Sequence, residues 1–184
     1  MLSIPIPVNI SHLLQEIKVP GDIAVKDPSD HCTLFFFSEF DMDDVLKIIP
    51  VVSEAVENIK SFNISVDHYS SFPAEKEIPI ICEIKSKELV KMRNKIKKAL
   101  DDNDIKYSTK FKNYKPHVTL QYNKENQKGK FDEIIWPVKN IALYCGDSNK
   151  EKLYVEFEFG SNKEKYSSEY LDYMSGHFEK LATL

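Results

Sequence analysis

The sequence predicts a single α+β domain built from two similar β-α-β units, and three observations lead there. The 184 residues are 42% hydrophobic and 29% charged, a balance that lets one chain bury a sizeable core and fits neither a disordered nor a membrane protein. Apolar residues recur at helical spacing in some stretches and alternate, or run continuously, in others bounded by turn residues. Two tetrapeptides of one pattern, His31-Cys32-Thr33-Leu34 and His117-Val118-Thr119-Leu120, stand about one unit's length apart. A duplicated unit folds readily into one body with a pseudo-two-fold axis that sets equivalent strands side by side. The domain is expected to span 1–184, with the repeated core over about 20–160, an extension over 1–19 and a tail over 160–184.

Pro5 and Pro7 would interrupt any helix at the start, and Ile10 to Ile17 reads as a short one. Gly21-Asp22 marks a turn before an extended stretch at Ile23-Ala24-Val25. Cys32 to Phe37 is a strand by content, with Phe35, Phe36 and Phe37 expected in the core. Ser38-Glu39-Phe40-Asp41 ends it, and Asp41 is placed to cap the next helix. Val45, Ile48, Ile49, Val52, Val56 and Ile59 form that helix's apolar stripe, within which Pro50 predicts a kink or a break.

Phe62 to Tyr69 alternates and reads as a strand with one solvated or site-facing side. After a turn near Pro73, Ile78 to Ile84 is a more continuously apolar strand. Ser86 then caps a helix whose inner face is Leu89, Met92, Ile96 and Leu100, ended by Asp101-Asp102-Asn103-Asp104. Lys106 to Phe111 is a short strand candidate, and Tyr114-Lys115-Pro116 leads into the strand His117 to Tyr122. Composition makes 123–130 a loop. Trp136 to Cys145 and Leu153 to Phe159 are two more strands around a turn at Gly146-Asp147-Ser148-Asn149, and a helix-like segment follows at Tyr170 to Leu181.

The net charge of −4 is a poor match for gripping the many phosphates of a long nucleic acid. A substrate with few phosphates fits better. One arginine, Arg93, falls on what reads as a helix surface, while Lys106, Lys110, Lys112 and Lys115 make a basic approach to His117. Cys32, Cys82 and Cys145 lie far apart in apolar contexts, which predicts reduced, buried thiols. No run approaches the roughly 20 residues of a membrane span, and the N-terminus lacks a secretory pattern, so a cytoplasmic protein is expected.

Strand alternation puts each His of the two tetrapeptides on the same face as its Thr. Two such strands side by side would gather two imidazoles and two hydroxyls, the groups needed for metal-free acid-base chemistry on a phosphodiester. A base deprotonates the attacking hydroxyl and an acid protonates the departing oxygen. Imidazole, with an ordinary pKa near 6.5, can serve as either at neutral pH. The Thr33 and Thr119 hydroxyls can hold the non-bridging oxygens. A zinc site is disfavoured because Cys32 should point away from His31, and the same alternation argues against a Cys-His nucleophile. His68 reads as a surface residue. Trp136 reads as core, whereas Tyr114, Tyr122 and Tyr144 are candidate base contacts and Lys115 a candidate substrate contact.

The two motifs, their separation and the β-α-β order around them resemble the two-histidine phosphoesterase superfamily over roughly residues 20 to 160. That superfamily includes RNA 2′,3′-cyclic phosphodiesterases, the proteins called 2′-5′ RNA ligases, and phage enzymes that destroy cyclic oligonucleotide signals. The resemblance implies a bilobal α+β fold with antiparallel sheets around a central cleft and helices packed outside. It implies His31 and His117 as proton-transfer groups and Thr33 and Thr119 as phosphate holders, with no metal or other cofactor. The implied substrates are a cyclic nucleotide, a cyclic oligonucleotide or a short RNA end bearing a cyclic phosphate, and in a phage the role would be anti-defence in the host cytoplasm; the sequence leaves the oligomeric state open, with a monomer favoured. A non-catalytic nucleotide- or RNA-binding module and an RNA end-joining ligase are the alternatives. The chain departs from some members in having Gln121, Tyr122, Asn123 and Lys124, and no arginine, just after the second motif.

Overall fold

The computed structural model describes residues 1–25, 30–37, 42–110, 113–145, 154–161 and 163–182. In chain order the elements are β1 (Leu2–Pro5), α1 (Val8–Gln15), β2 (Ile23–Val25), β3 (His31–Phe35), α2 (Met42–Val56), β4 (Phe62–Ser71), β5 (Ile78–Glu83), α3 (Lys87–Asp102), β6 (His117–Asn123), β7 (Gly129–Val138), β8 (Asn140–Tyr144), β9 (Tyr154–Glu158), β10 (Glu164–Tyr166) and α4 (Ser168–Ala182). They form two five-stranded sheets, ordered β10-β9-β8-β1-β3 and β2-β6-β5-β4-β7, and every pairing is antiparallel. We call them sheet A and sheet B.

The duplication is visible in the register. In each half a strand, a helix and a motif strand occur in that order, with β2 of sheet B intervening in the first half, and the motif strand pairs with the strand before the helix. Thus β3 lies against β1, with Pro5 opposite His31 and Ser3 opposite Thr33. Likewise β6 lies against β5, with Glu83 opposite His117 and Ile81 opposite Thr119. The repeated helix therefore precedes each motif, as α1 and α3, and α2 is the connection between the halves.

One apolar core joins the sheets and helices: Val45, Ile48, Ile49, Val52 and Val56 of α2 and Leu89, Met92, Ile96 and Leu100 of α3 are buried with Leu2, Ile4, Cys32, Leu34, Ile80, Cys82, Val118 and Trp136 of the strands. The α3 cap is as the sequence predicts, Leu89 N–H donating to Ser86 Oγ at 3.1 Å. All three cysteines are free and buried, and burial pushes Cys32 up to about 11, Cys82 to about 12 and Cys145 to about 11.

Several local expectations are corrected. α2 runs unbroken through Pro50, which sits on the exposed side where the missing N–H is no loss to the core. The segment after α3 forms no strand over 106–110; Ser108 N–H instead donates to Phe36 O at 2.7 Å. β1 and β10 arise where no strand was expected. The stretch around Trp136 divides at Lys139 into β7 of sheet B and β8 of sheet A, and β7 begins at Gly129, inside the expected loop. Phe36, just past the end of β3, is 55% exposed: the register of β3 on β1 slips at Leu34, which puts Phe35 in the core and turns Phe36 outward. Asp41, Phe111, Lys112, Leu153 and the turn at Gly146 to Asn149 lie outside the described residues.

Sheet A and sheet B meet where β3, an edge strand, approaches β6. Arg93 of α3 clamps this junction. Its guanidinium lies 3.9 Å from the Tyr114 ring centroid and 4.5 Å from that of Phe35, and its Nε donates to Leu34 O at 3.1 Å. The Tyr114 hydroxyl donates to Thr33 O at 3.1 Å and lies 3.9 Å from Cys32 Sγ, while Cys32 sulfur accepts from the His117 backbone N–H. Arg93→Ala removes the cation–π contacts and leaves the carbonyl unpaired, and should cost about 2–3 kcal/mol. Arg93→Lys should recover less than half, because an ammonium cannot lie flat between two rings while donating sideways. Urea unfolding of the three proteins checks this, and an unchanged Arg93→Ala midpoint would remove the clamp from the account.

Candidate active site

Strand alternation separates the two faces of β3 cleanly: Cys32 and Leu34 are in the core, and His31 and Thr33 are half-buried on the other face. On β6, Val118 and Leu120 are buried in the core, whereas His117 and Thr119 are on the opposite face, opposite Glu83 and Ile81. The pairing then slips: Ile80 faces Gln121, leaving Leu120 as the extra residue of a β-bulge. The slip resets the alternation, so Tyr122, opposite Pro79, returns to the His117 face. Without the bulge it would have pointed into the core.

The junction described above brings these faces together, and His117 is among the charges that act on His31. Burial is the main reason that His31 is held below its ordinary imidazole value; Asp30 opposes this, and the His117 charge and the Met1 amino group add to it. Burial also leads for His117, opposed by the hydrogen bond to Lys115 O and by the Glu83 charge. That hydrogen bond, at 2.8 Å from Nδ1, must have Nδ1–H as donor because a carbonyl only accepts. In the neutral ring Nε2 is therefore the nitrogen left as acceptor. The Phe72 ring meets the imidazole edge-on at 4.7 Å and restricts its rotation.

The other candidates divide. Thr33 Oγ1 donates to Met1 Sδ at 3.3 Å, a weak bond because a thioether is a poor acceptor. Thr119 is nearly buried. Lys115 is exposed, and its carbonyl, rather than its ammonium, is what touches a motif residue. Tyr144 of β8 has its ring 6.4 Å from that of His31. Tyr114 is spent on the Arg93 clamp, so here it joins the motifs instead of lining the site. Arg93 itself is no surface residue. His68 is half-buried and paired with Asp67 at 2.6 Å.

Phe72, Met1, Tyr154 and Glu156 were not expected near the site. Tyr154 and Glu156 could have been found from the alternation of Tyr154-Val155-Glu156-Phe157; Phe72 and Met1 carry no local signal, because their place depends on pairing across the sheet.

A family model described as the 2′-5′ RNA ligase superfamily matches residues 6–154. Among solved structures, TT0787 of Thermus thermophilus superposes with a TM-score of 0.66 at 15% identity, covering 88% of this chain and 98% of its own. Escherichia coli LigT complexed with 3′-AMP gives 0.58 at 13%, covering 90% and 91%. A protein described only as a phosphoesterase gives 0.55 at 13%, covering 90% and 92%. At these identities the likeness is one of fold. No curated protein sequence matches significantly. With the family model spanning both His-x-Thr strands, the chain belongs to the 2′-5′ RNA ligase superfamily, the two-histidine phosphoesterases.

Proposed function

We propose that the cleft hydrolyses a nucleotide phosphodiester without a metal ion, His31 and His117 moving the protons and Thr33 and Thr119 holding the phosphate. The observation that carries this is the pair of His-x-Thr units converging from two sheets, with one imidazole already fixed through Nδ1 so that Nε2 is left for chemistry. One imidazole takes a proton from the attacking water as its oxygen bonds to phosphorus. The other gives a proton to the ribose oxygen as its bond to phosphorus breaks. The hydroxyls stabilise the charge that gathers on the non-bridging oxygens. The 3′-AMP held by LigT, a protein of the same fold, supports an occupant of nucleotide size, as does the net charge of −4. The substrates in view are 2′,3′-cyclic nucleotides, RNA ends with a cyclic phosphate, and cyclic oligonucleotides, whose destruction would be an anti-defence activity.

The test is turnover of 2′,3′-cyclic nucleotides and of cyclic di- and trinucleotides by wild type, His31→Ala and His117→Ala. Each substitution should lower kcat by about 10²- to 10⁴-fold, and Thr33→Val or Thr119→Val by about 10²-fold, with activity unaffected by a chelator. Equal behaviour of wild type and the histidine variants would leave a binding module; loss of activity in a chelator would end the metal-free mechanism.

Burial lowers both imidazoles, so in the free protein both give up their protons below the ordinary value of about 6.5. The optimum of kcat/KM should lie on the acid side of that value, since this profile reports the free protein. A bound phosphate favours the charged imidazole, so the basic limb of kcat should sit at higher pH than that of kcat/KM. Coincident limbs would show that the substrate's charge does not reach the acid.

A further inference from the structure

We propose that sheet A carries a guanine-selective base pocket beside the two histidines, with Glu156 reading the base. The assignment rests on the phosphodiesterase reading, since it places the base of the same substrate.

The register puts the residues on one surface. Pro5 is opposite His31, Ser3 is opposite both Thr33 and Ala142, Ala142 is opposite Glu156, and Tyr144 is opposite Tyr154. Paired residues share a face, so all of these flank the catalytic groups on the cleft side, while Leu2, Ile4, Leu143 and Val155 fill the core on the other. Beyond Ser3 the pairing of β1 with β8 stops, and the chain diverges through Pro5, Ile6 and Pro7. The gap is a cavity of about 410 Å³ lined by these three residues and by Asn140, Ala142, Tyr144, Tyr154 and Glu156. Strands lie about 4.8 Å apart, which puts this cavity about 10 Å from β3. That is the reach of one nucleoside from a phosphate held at His31 and Thr33.

The lining suits a planar base. Tyr144 and Tyr154, with ring centroids 5.8 Å apart, make one aromatic wall, and Tyr144 continues it to His31 at 6.4 Å. The prolines make an apolar wall opposite. Ala142 keeps the floor low, since any longer side chain there would fill the cavity. The polar groups then discriminate. A carboxylate such as that of Glu156 accepts hydrogen bonds and donates none. Guanine alone among the common bases offers two adjacent donors, N1–H and the N2 amino group, and next to them O6, which the Asn140 amide can serve. Adenine and cytosine would turn a ring acceptor toward the carboxylate, and uracil a single N–H flanked by two carbonyls.

Binding is the readout that separates this from turnover. Isothermal titration with 3′-GMP and 3′-AMP should show guanine preferred by at least about ten-fold in wild type, the expected scale when a charged acceptor is left unmatched. In Glu156→Gln the ratio should fall toward one, and Ala142→Phe, which fills the cavity while Glu156 is kept, should remove the preference as well. The same ratios should appear in kcat/KM for the 2′,3′-cyclic nucleotides. Equal affinities in wild type, or a preference that survives both substitutions, overturns the pocket even if hydrolysis is observed. A guanine preference that both substitutions abolish upholds it even if no phosphodiester is cleaved.

Discussion

The whole arrangement depends on the edge of sheet A being held against sheet B. A two-sheet protein has no backbone ladder between its sheets, so side chains must supply what hydrogen bonds supply within each one. Here the sole arginine, Arg93, lies between the rings of Phe35 and Tyr114 and donates to Leu34 O. Tyr114 reaches Thr33 O, and Cys32 receives the His117 N–H. Every contact involves a motif residue or one within three residues of a motif. The spacing between the two His-x-Thr units is thus set by groups on the buried side of the strands that carry them.

That closeness has an electrostatic consequence. Two half-buried imidazoles that feel one another favour their neutral forms. Because the folded values lie below the unfolded one, the neutral histidines support the fold above about pH 6.5, and this support is lost as the pH falls through their lowered values. A cleft that resists carrying its own positive charge is suited to a ligand that brings negative charge. Phe72 against His117 and the Lys115 carbonyl on Nδ1 restrict the ring, leaving Nε2 to exchange protons.

Local chemistry made much of the fold readable. The Ser86 cap and the Leu89, Met92, Ile96 and Leu100 stripe define α3, because both signals lie within one helix. β7 was hidden for the opposite reason: it is an edge strand, largely exposed before Trp136, so its residues read as loop. β1 is four residues long and ends in proline, and only its place between β8 and β3 makes it a strand. Pro50 misled because packing of the α2 stripe against the core outweighs the local cost of a proline on the helix's exposed side.

By itself, then, the sequence determined the inventory of the site: His31 with Thr33 and His117 with Thr119 share faces because alternation along a strand is a local property. Tertiary structure decided what that inventory became. The bulge that returns Tyr122 to the cleft face, the clamp that makes Arg93 and Tyr114 part of the scaffold, and the pairing of β9 with β8 that sets Tyr154 and Glu156 beside Tyr144 at the opening next to β1 all arise from contacts between segments apart in the chain. Register and sheet-to-sheet packing set such contacts, and no spacing within a single strand encodes them.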